Sequence, residues 1–240
     1  MIGKVQMENI RLSPRLEAIA RLVPSGCRLA DVGTDHGYLP IRLLSDGVIR
    51  SAVAADLRPG PLSAAKTNAE KAGVENIRFC LCDGLEGISP DEADTVVIAG
   101  MGGETIAGIL EKASWVCDGK TLILQPMTRQ EVLRKALEYM GLRIERERLV
   151  LDGGRIYSVL LVRSGMPEKH TEAEYYTGRF DLISGEELFP VYLGQWEEKL
   201  HNALAGLALS GNDKHEDRKK QLRLLREQLR QMRERYDESV

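Results

Sequence analysis

The stretch Asp31-Val32-Gly33-Thr34-Asp35-His36-Gly37-Tyr38-Leu39-Pro40 decides the fold. It follows the apolar run 27–30 and opens an apolar pattern with helical spacing. A strand, a glycine-rich turn and a helix in this order form a cofactor-binding loop, because glycines let a ligand approach the backbone and the helix start offers unpaired N–H groups. We therefore expect an open α/β sheet whose ligand lies at this turn.

Two carboxylates, Asp31 and Asp35, lie within this loop. They would repel a pyrophosphate, so the expected ligand carries an amine or hydroxyl groups. S-adenosylmethionine meets this description, since it has an ammonium, a sulfonium and a ribose but no phosphate. The rival cofactor, a nicotinamide dinucleotide, is disfavoured because Gly33 and Gly37 are separated by Thr-Asp-His and do not complete Gly-x-Gly-x-x-Gly.

Strand and helix patterns alternate over most of the chain. The predicted strands are about 27–32, 51–55, 76–82, 94–99 and 120–124, and the predicted helices are about 38–45, 62–72, 128–140 and one that ends near 112. A helix that begins at Ser13 and Pro14 is expected to close the cofactor pocket from one side. Two further strands, 142–151 and 155–162, are joined by the tight turn Asp152-Gly153-Gly154. Parallel units that end in an antiparallel hairpin predict an α/β fold, and this order of elements resembles the Rossmann-like sheet of class I methyltransferases.

The composition changes after about residue 164, where helix formers dominate. Apolar residues step by three or four on both sides of a predicted turn at 210–213: Tyr192, Trp196, Leu200, Ala203 and Leu207, then Leu222, Leu225, Leu229, Met232 and Tyr236. They predict an α-helical hairpin that resembles a coiled coil. We therefore divide the chain into a methyltransferase domain, residues 1–164, and a helical C-terminal domain, residues 165–240.

Composition narrows the classes of partner. The net charge of −3 gives no overall attraction to nucleic acid, so such binding needs a local patch. No apolar run reaches the ~18 residues of a membrane span, and residues 1–11 lack a signal-peptide pattern. The four cysteines form no Cys-x-x-Cys pair, which disfavours a zinc or redox site. We expect a cytoplasmic protein without a membrane or metal partner, and the oligomeric state is left open.

Acidic or glycine residues follow the first four predicted strands, at the edge where open α/β sheets bind ligands. Asp31, Gly33 and Gly37 are expected to hold the amino-acid end of the cofactor, Asp56 its ribose hydroxyls and Asp83 its adenine amine. The predicted cofactor-binding residues are Asp31, Gly33, Thr34, Gly37, Tyr38, Asp56, Leu57, Asp83, Gly84, Gly100, Met101 and Gly102. The alternative is that each aspartate only caps the helix that follows it.

Several motifs together resemble those of one known family. They are the stretch 31–40, Ala99-Gly100-Met101-Gly102-Gly103, Leu122-Ile123-Leu124-Gln125-Pro126, Gly153-Gly154-Arg155-Ile156-Tyr157 and the C-terminal helical hairpin. The chain resembles the bacterial TrmK-type tRNA methyltransferases, which make N1-methyladenine at tRNA position 22. The resemblance implies S-adenosylmethionine as methyl donor and a C-terminal domain that helps to hold tRNA. Met127 departs from the pattern, because relatives usually have a polar residue after Gln-Pro.

The implied reaction needs little acid–base catalysis. Adenine N1 has a lone pair, so the enzyme mainly positions and desolvates the base, which must be flipped out because N1 lies on its Watson–Crick edge. Asp35 and the segment 100–103 are expected to stabilise the cationic product. His36 could accept a proton from the adenine amino group, bind the cofactor or cap the helix, and Tyr38 could stack on the base or pack under the loop. Asp35 and His36 are the candidate catalytic residues.

The segment 214–235 is strongly basic, with nine basic and four acidic residues against the negative charge of the whole chain. Its predicted RNA-binding residues are Lys219, Lys220, Arg223, Arg226 and Arg230. Their helical spacing suits contacts to phosphates, and the alternative is a solvated helix face with internal ion pairs.

Two other functions stay open at this point. The chain could methylate a small molecule and use the helical hairpin for self-association. It could also bind RNA without catalysis, with a degenerate cofactor pocket.

Overall fold

The computed structural model describes residues 10–167, 169–209 and 216–239. Its strands are β1 (Arg28–Val32), β2 (Ser51–Asp56), β3 (Ile77–Leu81), β4 (Thr95–Gly102), β5 (Thr121–Thr128), β6 (Leu142–Asp152) and β7 (Arg155–Ser164). They form a sheet in the order β3-β2-β1-β4-β5-β7-β6, in which β7 is antiparallel to both of its neighbours. The order reverses between β1 and β4, and a crevice opens at the carboxyl ends of strands at such a point.

The helices cover both faces of this sheet and continue beyond it. They are α1 (Pro14–Ala20), α2 (Tyr38–Ser45), α3 (Pro59–Ala72), α4 (Gly103–Lys112), α5 (Gln130–Tyr139), α6 (Glu172–Thr177), α7 (Phe180–Ile183), α8 (Phe189–Leu209) and α9 (Glu216–Asp237). The predicted class, a mostly parallel sheet with an antiparallel end and a helical C-terminal part, is confirmed. Over the described parts of the chain, no helix has the length and apolarity needed to cross a membrane.

Three boundaries near the first four strand ends and β5 differ from the sequence prediction by three residues or more. The fourth strand is predicted to end at about residue 99, but β4 continues to Gly102 because Met101 and Gly102 still pair with β5 after a shift in register. Likewise β5 continues past Leu124 to Thr128. Helix α3 begins at Pro59, earlier than predicted, since proline fits the first helical turn, where no N–H bond is needed.

The two faces of the sheet bury separate apolar clusters. Along β4, Val96 and Ile98 point into the cluster under α4 and α5, whereas Val97 points into the cluster under α1 and α2. This alternation follows from the period of two of a β-strand. Ile19 of α1 is fully buried in the second cluster, so α1 is fixed against the sheet beside the carboxyl ends of its strands.

The C-terminal helices form the predicted antiparallel pair, α8 and α9. Arg233, late in α9, donates to the carbonyl of Pro190 at the start of α8. The apolar stripe of α9 is buried as expected, but on α8 Ala203 is exposed and Leu204 packs in its place. The predicted turn at 210–213 lies outside the described residues. A third apolar cluster joins these helices to Leu149 of β6.

A buried ion pair lies between the sheet and the C-terminal helices. The side chains of Arg134 on α5 and Glu147 on β6 are both inaccessible to solvent and bonded to each other. Ser158 of β7 donates to the Glu147 carboxylate, and Arg134 donates to the carbonyl of Tyr175 on α6 at 2.8 Å. One pair of charges therefore ties three elements of the sheet layer to the first C-terminal helix.

Candidate active site

A cleft of about 530 Å³ opens at the carboxyl ends of β1 to β5. It brings together most of the predicted site: Asp31, Gly33, Thr34, Asp35, His36, Tyr38, Asp56, Leu57, Asp83, Gly84, Gly100 and Met101. Gly37 and Gly102 lie just outside the lining, as the N-caps of α2 and α4. Leu16 and Ile19 of α1 close one side, which confirms the expected position of that helix.

Asp31, at the end of β1, is a buried carboxylate that faces this cleft. It accepts a hydrogen bond of 2.6 Å from the Thr34 hydroxyl, and no basic side chain of the described residues lies within 4 Å of it. Burial raises the pKa of the Asp31 carboxyl to about 6, and the charge of Asp56 adds to the rise, while the Thr34 bond opposes it. A buried carboxylate without a cationic partner is costly, so this position favours a positively charged ligand group.

The loop after β1 holds its shape through backbone conformation. Gly33 and Asp35 have φ of +72° and +52°, in the left-handed region. The amides of Gly33 and Thr34 both donate to the carbonyl of Ala55 at the end of β2. The positive φ of Gly33 favours glycine, and a Cβ there would also displace the terminal methyl group of Met101.

Asp56, at the end of β2, is as buried as Asp31 and lies beside the same loop. Its carboxylate accepts from the backbone amides of Asp35 at 3.3 Å and Arg58 at 2.9 Å. These bonds orient the carboxylate at the cleft. Asp83, after β3, was expected to bind only the adenine amine, but its carboxylate also forms an ion pair with Lys112 of α4 at 3.2 Å.

The ends of β4 and β5 are held by two side chains that were not among the predicted site residues, Gln125 and Arg15. Gln125 is fully buried, and its Oε1 accepts from the amide of Gly100 and from Arg15 of α1. Arg15 also donates to Asp152 at 2.9 Å and lies 3.3 Å from the Met127 sulfur. Arg15 thus connects α1, β5 and β6 at the floor of the cleft.

The candidate catalytic residues lie at the rim. His36 Nε2 is 3.6 Å from the Asp35 carboxylate, and the His36 ring stacks on Tyr38 with centroids 5.5 Å apart. About half of the His36 side chain and more than half of the Asp35 side chain are exposed. A group that binds at this rim therefore meets one carboxylate and two rings, and the catalytic roles of Asp35 and His36 stay predictions.

The predicted RNA-binding residues of α9 fall into two sets. Lys219 is bonded to Glu216, and Arg230 is bonded to two glutamates of its own helix. Lys220, Arg223 and Arg226 are exposed, and no acid of the described residues lies within 4 Å of them. Lys214, counted in the basic segment, lies outside the described residues.

No group of three or more His, Cys, Asp or Glu residues in the described segments could hold a metal ion. The cleft instead presents buried carboxylates and exposed backbone, which suit a cationic ligand that carries hydroxyl groups.

Comparison with known proteins identifies the family. Residues 12–160 match the model of a methyltransferase domain. The tRNA (adenine(22)-N(1))-methyltransferase of Bacillus subtilis (strain 168) is 33% identical over 202 residues, which cover 82% of this chain and 84% of that protein.

Two solved structures share the fold over nearly their whole length. Streptococcus pneumoniae Sp1610, in complex with S-adenosyl-L-methionine, is 33% identical with a TM-score of 0.80 and covers 92% of this chain and 99% of its own. TrmK of M. capricolum, in complex with the natural cofactor product S-adenosyl-homocysteine, is 25% identical with a TM-score of 0.78 and covers 94% of this chain and 98% of its own. The chain thus belongs to the methyltransferase family that includes the tRNA (adenine(22)-N(1))-methyltransferase of Bacillus subtilis.

Proposed function

We propose that this protein transfers the methyl group of S-adenosylmethionine to N1 of the adenine at position 22 of tRNA. The observation that carries the proposal is the buried carboxylate of Asp31, without a cationic partner among the described residues, in a cleft at the switch point of the sheet. The family supplies the substrate, because the Bacillus subtilis relative is named for this reaction. A cytoplasmic location belongs to the same proposal.

The cleft suits the cofactor chemically. Asp31 accepts the ammonium of the amino-acid end, and the oriented carboxylate of Asp56 accepts the ribose hydroxyls. The segment around Asp83 and Gly84 faces the adenine, with Ile109 of α4 packed over Gly84. A ligand with a ribose and a positive charge but no phosphate satisfies these groups, whereas a pyrophosphate would meet their repulsion.

The residues of this chain then position the target base. S-adenosylmethionine supplies an already activated methyl group, so the protein has to align the acceptor nitrogen and exclude water. The rim formed by Asp35, His36 and Tyr38 offers a ring to stack on and a carboxylate near the ring that becomes cationic. In this proposal His36 accepts a proton from the adenine amino group.

The proposal is tested with methyl-labelled S-adenosylmethionine and unmodified tRNA. We expect label in N1-methyladenine at position 22, and no label in a tRNA whose adenine 22 is replaced by guanine. Calorimetry with S-adenosylmethionine alone is the parallel measurement. Cofactor binding without methylation of tRNA would overturn the substrate assignment, and absence of cofactor binding would overturn the whole proposal.

The exposed cations of α9 give a second expected result. Replacing Arg223 and Arg226 by glutamate should weaken tRNA binding roughly tenfold or more at 0.1 M salt and lower the salt dependence of log Kd by about two units of slope. S-adenosylmethionine affinity should stay unchanged. Filter binding of tRNA over a salt series measures both quantities.

The matched control reverses two exposed charges that lie away from α9 and do not line the cleft, Lys71→Glu near the end of α3 with Arg143→Glu near the start of β6. If this control weakens tRNA binding as much as the α9 variant does, the effect is one of overall charge and α9 is not an RNA contact. Unchanged binding in the α9 variant would place the RNA contact on another surface.

A further inference from the structure

A second cavity, of about 540 Å³, lies next to the cofactor cleft and is not used by the cofactor as assigned above. We call it the side groove. It is bounded by the end of β5, the start of α5, the hairpin end of β7 and one face of α8. Met127 lines both the side groove and the cofactor cleft, so the two cavities are neighbours that share this residue.

The boundary between the cavities has a defined structure. The Arg15 guanidinium lies 5.1 Å from the centre of the Tyr157 ring and 3.3 Å from the Met127 sulfur. Arg15 and Met127 line the cleft, and Met127 and Tyr157 line the side groove. A chain molecule with one unit in the cleft can therefore place a neighbouring unit at Tyr157 and the side groove.

Two cations without acidic partners among the described residues line the side groove. Arg155, from the hairpin end, and Lys199, from α8, both line it, and neither has an acid of the described residues within 4 Å. Burial and the nearby charge of Arg155 lower the pKa of Lys199. Both cations are thus placed to gain from an anion between them.

The remaining basic residue of the side groove behaves differently. Arg129 is bonded to Glu131 at 2.9 Å and to Glu104 at 3.1 Å, so its charge is already balanced. The unbalanced charge is concentrated on Arg155 and Lys199. The Lys199 ammonium also lies 4.4 Å from the centre of the Trp196 ring, which fixes it at the groove.

We propose that the side groove holds the backbone phosphate of a nucleotide that flanks the target adenine, between Arg155 and Lys199. The inference rests on the proposed function, because it takes the base in the cofactor cleft to be part of an RNA strand. It follows from the adjacency of the two cavities at Met127, from the two cations of the side groove and from the aromatic side chains Tyr157 and Trp196 that line it. Contacts to phosphates fix the register of a nucleic acid and not its sequence. Arg155 and Lys199 are therefore positioning residues, which set where the strand lies and take no part in methyl transfer.

The experiment combines protein variants with a modified substrate. The protein variant is Arg155→Gln with Lys199→Gln, and the substrate is tRNA that carries a single neutral methylphosphonate at the phosphate on the 5′ or the 3′ side of adenine 22. The readouts are KM for tRNA, kcat at saturating tRNA and the Kd for S-adenosylmethionine. A Lys71→Gln variant and a methylphosphonate at a phosphate remote from adenine 22 are the controls.

We expect the double variant to raise KM for tRNA about tenfold or more, as the loss of a charge-assisted bond would. Its kcat and its affinity for S-adenosylmethionine should change little. One of the two flanking methylphosphonates should raise KM of the wild-type protein to a similar degree and have no further effect on the double variant, because both changes remove the same contact. The thermal midpoint of the double variant should equal that of Lys71→Gln.

Three results would overturn the inference. They are an unchanged KM in the double variant, effects of protein and substrate changes that multiply independently, and a fall in kcat with KM unchanged. Failure of the proposed function gives a different result. The wild-type protein would then bind S-adenosylmethionine but methylate no tRNA, and the inference about the side groove would be rejected as well.

Discussion

Replacing Asp31 by asparagine should raise the Kd for S-adenosylmethionine by about 30-fold or more, which corresponds to roughly 2 kcal/mol. The reason is that the carboxylate of Asp31 is buried and lacks a cationic partner among the described residues until the ligand ammonium arrives. Asparagine keeps the side-chain oxygen that accepts from Thr34, so the loop should stay intact and only the charge is lost. Isothermal titration calorimetry at pH 7.5 measures the change.

The same residue predicts how cofactor binding depends on pH. The pKa of Asp31 in the free protein is about 6, and the ligand cation binds the ionised form. The affinity should therefore fall as the pH is lowered below 6, by up to about tenfold per pH unit. Asp31→Asn should lack this dependence between pH 5 and 7.

The stability of the ligand-free protein should depend on pH in the opposite direction to its affinity for the cofactor. The pKa of Asp31 is raised above its ordinary value of 3.8, so the folded state holds this proton more tightly than the unfolded chain does. The contribution to stability is therefore fully present below pH 3.8 and is lost as the pH rises through about 6. Asp31→Asn should be at least as stable as the wild-type protein at pH 7.5.

Asp118→Asn is the matched control, since Asp118 is exposed and lies away from the cleft. Its affinity for S-adenosylmethionine should equal that of the wild-type protein. An unchanged Kd in Asp31→Asn would refute the role of Asp31, and a large loss of thermal stability in that variant would assign the residue to folding instead.

Replacing Glu147 by glutamine should lower the free energy of unfolding by about 3–5 kcal/mol. The variant leaves the guanidinium of Arg134 charged and buried, with only uncharged acceptors: the new amide oxygen, the carbonyl of Tyr175 and the hydroxyl of Ser158. Urea-induced unfolding, followed by circular dichroism, measures the difference.

Glu145→Gln is a sharp control for this effect, because it makes the same change two residues earlier on β6. Glu145 pairs with Arg163 at 3.4 Å in a partly exposed position, so its loss should cost less than about 1 kcal/mol. The double change Arg134→Met with Glu147→Leu should recover most of the stability, since it removes both charges. If Glu145→Gln and Glu147→Gln lower the free energy of unfolding equally, burial of the Arg134–Glu147 pair does not determine the effect.

Much of the fold follows from local sequence signals. Ser13 and Pro14 mark the start of α1, and the Ser13 side chain does cap it. The apolar runs give the five parallel strands, and Asp152-Gly153-Gly154 gives the hairpin. The extension of β4 through Gly102 could not be predicted, because glycine is a poor strand former and pairing with β5 across a register shift overrides its preference. The domain boundary at 164 stays a prediction.

The site was predictable where it depends on strand ends and less so where distant elements meet. The positions of Asp31 and Asp56 follow from the rule that ligands bind at the carboxyl ends of parallel strands. The contact of Arg15 with Gln125 joins residues more than a hundred positions apart, and no spacing rule connects them. Thr105 and Ile109 reach the cleft from α4 and carried no motif, although a helix that follows a strand end directs its first turns to that edge. The sequence also did not show which cations of α9 pair with acidic residues, because helical spacing alone does not determine which ion pairs form.

The third apolar cluster has a consequence for how one nucleotide is selected among many. Leu149 of β6 packs among the side chains of the C-terminal helices, and the Arg134–Glu147 pair ties α6 to the same strand. Both anchors hold the C-terminal helices against β6, which sets the distance of α9 from the cleft in this structure. If α9 holds tRNA as proposed, the target adenine is selected by its distance from the part of the tRNA that α9 contacts. The bases between these two points then do not affect the selection.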